Sequence, residues 1–313
     1  MTPLHEPVLV AETLALLQPE RGGVFVDCTI GLGGHGRAML DAGATRLIGL
    51  DRDPDALRLA AETLAAFGDR VELVHADYRD LDRVLSARGL EGVAGILADL
   101  GVSSMQLDGE GRGFSFRRDE QLDMRMDRSQ GATAADLLAS VEEKELADVI
   151  FQYGEERFSR RIARAIVNER RTAPVATTGR LAQIVRRAVP HRGYQRIDPA
   201  TRTFQALRIW VNRELEGLEL FLAAAARRLL AGARLAVISF HSLEDRIAKH
   251  TFRALASLAG AESGELAVRI LTRRPVEPTE EEIARNPRAR SAKLRAWRRA
   301  VESVPRPGRG AGA

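Results

Sequence analysis

Asp27 to Gly36 reads DCTIGLGGHG, and its surroundings decide the fold. Its first residues close the apolar run Gly23 to Thr29 (GVFVDCT), which predicts a strand, and its last residues open a helix-like stretch, Gly34 to Ala42. A second strand follows at Arg46 to Asp51 (RLIGLD). Gly31, Gly33 and Gly36 thus stand in GxGxxG spacing between strand and helix, with Asp51 twenty residues beyond the first glycine. Glycines let the backbone turn sharply and approach a ligand, the helix N-terminus favours an anionic group, and an acid ending the second strand accepts hydrogen bonds from ribose hydroxyls. A nucleoside-bearing cofactor is the expected ligand.

The pattern continues outward. Asp53 is an N-cap with Pro54 at the first helical position, opening a helix that runs to about Phe67. Arg70 to Asp77 predicts a third strand, Tyr78 to Arg88 a helix, and Gly92 to Leu100 a fourth strand apolar enough for burial on both faces. After about Ser104 a polar, Gly-rich loop gives way to helical periodicity at Thr133 to Ala139, Glu142 to Phe151, Glu155 to Arg171 and Thr178 to Val189, broken by Pro174, Pro190 and Pro199. A long helix from about Thr203 to Leu230 then leads to a strand at Arg234 to Phe240, with a further strand at Ala267 to Thr272. A strand returning after the helices needs the earlier sheet to pair with. The expected architecture is therefore a doubly wound, Rossmann-like α/β domain made of residues 1–104 and 211–313, interrupted by an all-helical insertion at 105–210. There are no internal repeats.

Composition is that of an ordinary globular protein, 45% hydrophobic and 29% charged over 313 residues. The richest apolar stretch, Leu218 to Ala226, is short and carries Glu219, and no basic-then-apolar leader opens the chain. Neither export nor membrane spanning is expected, and the cytoplasm is the expected location. The single cysteine, Cys28, lies in an apolar strand and is read as packing. The six histidines show no metal-ligand spacing, so no metal is expected. The pI is 9.7 with a net charge of only +4, so placement matters more than total. Between Arg285 and Arg309 nine basic residues face one acid, Glu302, which reads equally as a polyanion-binding patch or as a solvated tail.

The glycine loop suits a nicotinamide cofactor as well as S-adenosylmethionine, and the strand ends separate them. Asp27, Asp51, Asp77 and Asp99 each close one of the first four strands, at the edge where open α/β sheets bind ligands. Such a rim repels a pyrophosphate and stabilises a sulfonium and an ammonium, which favours S-adenosylmethionine and a class I methyltransferase sheet. For Asp77, helix capping is an equal alternative.

With HEPVL at His5 to Leu9, LDRDPDAL at Leu50 to Leu57, ADLGVSSMQLD at Ala98 to Asp108, RGFSFRRDEQLDMRMD at Arg112 to Asp127, TRTFQALRI at Thr201 to Ile209, SFHSLEDR at Ser239 to Arg246 and NPRARSAKLR at Asn286 to Arg295, the chain resembles, nearly end to end, the bacterial 16S ribosomal RNA cytosine N4-methyltransferases (RsmH, also called MraW). The resemblance implies methylation of N4 of one cytidine in the decoding region of the small ribosomal subunit. It also implies cofactor contacts at Gly33, Gly34, His35, Asp51, Tyr78, Asp99 and Gln106. Two positions depart from the family pattern: Gly36 stands where serine is expected, and Met105 where proline is usual. Both changes are expected to alter affinity at most.

The N4 amine is a poor nucleophile because its lone pair is delocalised into the ring, so a site that methylates it must orient it with acceptors. Asp99 is the leading catalytic candidate for that role; the alternative is cofactor contact only. The Asp/Asn-Pro-Pro-aromatic motif of many amino-group methyltransferases is replaced here by Asp-Leu-Gly-Val, so their mechanism does not transfer. His241 and Glu244 follow a later strand and could reach the same edge, the histidine as a proton acceptor or base contact, or the pair as a cap. For the RNA, Arg157, Arg160, Arg161 and Arg164 fall on one helical face, with Arg186, Arg187, Arg192 and Arg196 nearby, and Phe114 and Phe116 are candidate stacking groups unless they pack in the core. The apolar faces of the insertion could serve a homodimer as readily as RNA. Two rival classes are a nicotinamide-dependent oxidoreductase and a non-catalytic assembly factor that keeps a vestigial cofactor fold.

Overall fold

The computed structural model describes residues 7–190, 197–258 and 268–300. Arg192, Arg196, and the Arg306 and Arg309 end of the basic stretch lie outside them. The chain divides into two compact units. One is formed by residues 1–51, 59–100 and 217–313, the other by 52–58 and 101–216.

The first unit is built on a seven-stranded sheet of order β3-β2-β1-β4-β5-β7-β6: β1 Val24–Asp27, β2 Arg46–Asp51, β3 Val71–His75, β4 Val93–Asp99, β5 Leu229–Ser239, β6 Val268–Ile270 and β7 Lys293–Arg299. The first five strands pair in parallel and β7 runs antiparallel to both β5 and β6. Strands such as Arg46–Asp51 and Val93–Asp99 are apolar along their length because helices cover both faces; Leu47, Ile48, Leu50, Ile96, Leu97 and Ala98 are fully buried. The chain steps β1 to β2 to β3 toward one edge and then returns to place β4 on the other side of β1. That reversal opens a crevice at the carboxyl ends of β1 and β4, where ligands bind in such sheets.

Two expectations need correction here. The long helix from Thr203 to Leu230 is two helices, Ala200–Asn212 and Leu218–Arg227, because Arg213 (φ 52°) and Gly217 (φ 71°) adopt left-handed backbone. The described part of the basic stretch, residues 285–300, also includes a strand. Lys293–Arg299 is the interior strand β7, with Leu294, Ala296 and Trp297 buried, and Arg295 is spent on an ion pair with Asp245 at 2.6 Å. The Lys293–Arg299 part of the stretch is therefore a paired strand and not a solvated tail.

The second unit is helical: Ala134–Ser140, Glu143–Gly154, Ser159–Glu169, Thr178–Ala188 and Ala200–Asn212 pack through an apolar core that includes Leu146, Ile150, Ile162, Ile166, Leu181, Val185 and Phe204. Thr133 caps the first of these helices in a reciprocal capping box with Asp136. Phe114 belongs to this core, and Phe116 packs edge-on against Phe204 with the rings 4.8 Å apart. Core packing therefore accounts for Phe114. Among the described residues, no helix is long and apolar enough to cross a membrane.

Candidate active site

β1 ends at Asp27, and the chain then crosses to the helix Gly34–Asp41 through the glycine loop. Gly33 forms the helix N-cap with φ 84°, a left-handed conformation that side chains disfavour. A Cβ on Gly34 would come within 2.9 Å of Pro7. The loop is thus held tight against the sheet edge, and its backbone is oriented from β2: Gly31 N–H donates to Asp51 Oδ2 at 2.9 Å. That bond places the Asp51 carboxylate beside the loop, as a ribose-binding acid requires.

Thr29 joins the neighbouring strand ends. Its backbone N–H donates to Asp27 Oδ1 at 3.1 Å, and its hydroxyl accepts from the Asp99 N–H at 2.6 Å. Sequence reasoning passed over Thr29; the signal was a threonine two residues after the strand-ending acid, the spacing of an Asx turn. Across β4, His35 Nε2 lies 3.6 Å from Asp99 Oδ2, too long for a hydrogen bond but close enough for electrostatic contact. Beyond β5, the buried His241 and Glu244 pair at 3.1 Å, while the other Glu244 oxygen accepts from the Phe240 N–H at 3.0 Å and so caps the turn.

Burial and crowding of like charge set the electrostatics of this edge. Desolvation pushes the Asp27 carboxyl up to about 7, opposed by the Thr29 hydrogen bond and assisted by the charge of Asp51. Asp99 is held well above the usual carboxylate range, first by burial and then by Asp27 and Glu244. The Cys28 thiol is likewise driven up by burial, Asp27 and Asp77, so it remains a protonated packing group. Asp77 stands apart: it caps the turn that follows by accepting from Arg79 N–H and pairs with the Arg79 guanidinium at 2.7 Å. Asp27, Asp51 and Asp99 are the strand-end acids beside the glycine loop, and of these Asp27 is buried. Tyr78, next to Asp77, is buried against Phe221 with ring centroids 4.7 Å apart.

Gln106 lies in the helical unit. Its Oε1 accepts from Ser103 N–H at 3.0 Å in a capping box, and its Nε2 donates to Asp53 Oδ2 at 2.9 Å. The same carboxylate takes Arg112 at 2.6 Å, with Asp53 1% and Arg112 6% exposed in their side chains. Asp53 also accepts from Asp55 N–H at 3.0 Å, the helix cap expected of it. The buried Asp53–Arg112 pair was not foreseen, because nothing local in the sequence links residues so far apart.

Gly36 and Met105, where the resemblance leads to the expectation of serine and proline, each fit their surroundings. A Cβ at Gly36 would meet Leu47 Cδ2 at 2.6 Å and Ile30 Cδ1 at 2.7 Å, so this chain fills with its own core the space that a serine needs. Met105 sits in the first turn of the helix Ser104–Asp108, where proline's missing N–H costs little, so the two residues suit the same place.

A site of this kind wants positive charge. Asp99 Oδ1 is buried with no hydrogen-bond partner, which is costly until a donor or cation reaches it. A sulfonium and an ammonium would relieve that strain, and a pyrophosphate would aggravate it. Sheet order, glycine loop and acidic rim define the class of S-adenosylmethionine-dependent methyltransferases with a Rossmann-like α/β fold. The family model described as the MraW methylase family matches residues 2–300, and the chain belongs to that family. A Bradyrhizobium diazoefficiens protein named ribosomal RNA small subunit methyltransferase H is 52% identical over 303 residues, 94% of this chain and 91% of that one. A protein of the same name from Geotalea uraniireducens is 48% identical, covering 93% and 97%. Among solved structures, an rRNA methylase from Streptococcus thermophilus is 12% identical with a TM-score of 0.38, covering 93% of this chain and 92% of that one. A SAM-dependent O-methyltransferase from Thermotoga maritima is 9% identical with a TM-score of 0.41, covering 96% and 69%. Those two likenesses are too loose to add to the fold read from the strands.

Proposed function

We propose that this enzyme methylates N4 of a cytidine in the decoding region of 16S ribosomal RNA, acting in the cytoplasm on the small ribosomal subunit. The reading is carried by Asp99, a strand-end carboxylate with a buried oxygen lacking a donor, in a chain about half identical to small-subunit RNA methyltransferases. Gly33, Gly34, His35, Asp51, Tyr78, Asp99 and Gln106 hold the cofactor. The sheet domain, residues 1–104 and 211–313, performs the chemistry, and the helical insertion at 105–210 recognises the RNA.

When bound, S-adenosylmethionine supplies an electrophilic methyl group. Asp51 fixes the ribose, held in place by Gly31. The Asp27 and Asp99 carboxylates favour a cation at the rim. Asp99 also accepts a hydrogen bond from the N4 amine, localising its lone pair toward the methyl carbon. On taking up the methyl group the amine would give up one proton, and Asp99, the acceptor that holds that N–H, would receive it and pass it to water. The target base must leave its stack to reach this edge, which costs least in a loop of shaped RNA.

The test is transfer of labelled methyl to small subunits that lack the modification. Wild type transfers label, Asp51→Ala loses cofactor affinity, and Asp99→Ala loses transfer. An Asp99→Ala enzyme with wild-type turnover removes Asp99 from the mechanism.

A further inference from the structure

The helices Ser159–Glu169 and Thr178–Ala188 of the helical unit flank an open cleft of about 480 Å³. Its floor is apolar, formed by Ala165, Ile184 and Ala188, and its rim is polar, with Asn168 and Thr172 beside Arg161, Arg164 and Arg187. Arg161, Arg164 and Asn168 share one helical face because they recur at three- and four-residue spacing, and Thr172 follows in the turn after the helix.

The structure separates the basic residues of this region by what they already hold. Arg186 is engaged by Asp198 at 2.7 Å, and Arg157 lies over the Phe158 ring at 4.6 Å. Arg164 makes an exposed pair with Glu143 at 3.3 Å, which water screens. Glu169, the acid on the rim, is taken by Arg180. Arg161 and Arg187 have no acid partner among the described residues, and both are exposed on opposite walls of the cleft. Two guanidinium groups without an acid partner, one from each helix beside an apolar floor, suit a phosphate carrying a flat or sugar-like body. The volume is on the scale of a small-molecule pocket, which accommodates one nucleotide.

We propose that this cleft is a phosphate clamp for the RNA substrate, in which Arg161 and Arg187 grip the backbone of one nucleotide whose sugar or base rests on Ile184 and Ala188. Asn168 and Thr172 lie at the rim, within reach of a 2′-hydroxyl. The inference rests on the RNA reading above and assigns the grip to particular residues.

The test compares wild type with Arg161→Ala/Arg187→Ala and with Arg186→Ala, measuring affinity for small ribosomal subunits across a salt series. Each lost contact to single-stranded phosphate flattens the salt slope by about 0.7, so the double variant is expected to be shallower by about 1.4 and roughly tenfold weaker at low salt. Its KM for subunits rises while kcat at saturation and calorimetric affinity for S-adenosylmethionine stay at wild-type values. Arg186→Ala, whose guanidinium is already occupied, changes the slope little. A double variant with wild-type slope and affinity overturns the clamp and leaves the RNA reading standing. A wild type that neither binds nor methylates subunits overturns both.

Discussion

Replacing Asp27 by asparagine keeps the acceptor for the Thr29 N–H and removes a buried charge, so it isolates the cost of ionising that group. The carboxyl is raised from 3.8 to about 7 in the folded protein. At about 1.4 kcal/mol per pH unit, the folded state resists ionisation by up to ~4 kcal/mol relative to the unfolded chain. The sign follows from proton counting. Between pH 4 and 7 the folded protein keeps this proton while the unfolded chain has lost it, so stability falls as pH rises through that window and levels off above it. Asp27→Asn lacks this loss. Urea unfolding of both proteins from pH 4 to 8 is expected to show little difference at pH 4 and a gap favouring the variant that grows to ~4 kcal/mol by pH 7. Asp99, which feels the charge of Asp27, contributes in the same direction. Parallel stability curves across pH 4 to 7 would refute the argument that burial sets this carboxyl.

Three further outcomes follow from the same geometry. Arg112→Met removes the cation paired with the Asp53 carboxylate, 1% exposed, leaving it the Gln106 and Asp55 N–H donors, and should cost about 3–5 kcal/mol in chemical unfolding, with Asp53→Asn recovering part of the loss in a double-mutant cycle. Asp51→Ala removes the acceptor that Gly31 orients, and calorimetry should show S-adenosylmethionine binding weakened by roughly thirtyfold, about 2 kcal/mol for a charged hydrogen bond. Gly36→Ser forces a Cβ onto Leu47 and Ile30, and thermal unfolding should register a loss of about 1–3 kcal/mol.

The parallel strands were legible because each is a short apolar run closed by an acid: Arg46 to Asp51 was placed to the residue, and β1, β3 and β4 within two residues at either end. The glycine loop and Asp51 were legible for a related reason, since their spacing is local. β7 was not. KLRAWRR is mostly charged, and only its position between β5 and β6 buries Leu294, Ala296 and Trp297, while Asp245, on the helix Ser242–Leu258, pairs with Arg295. The break at Arg213 was hidden because left-handed backbone at a non-glycine residue has no local signature. Long-range polar pairing was equally invisible. Gln106 reaching Asp53, and Arg186 spent on Asp198 while Arg187 stays open, depend on tertiary neighbours that composition does not name.

The most direct measurement of the central claim is nucleoside analysis of 16S RNA after the enzyme has acted on unmodified small subunits with S-adenosylmethionine labelled in its methyl group. The account predicts that the label appears as N4-methylated cytidine from the decoding region. Label on a ring carbon or on another base, or no transfer to unmodified subunits, would contradict it.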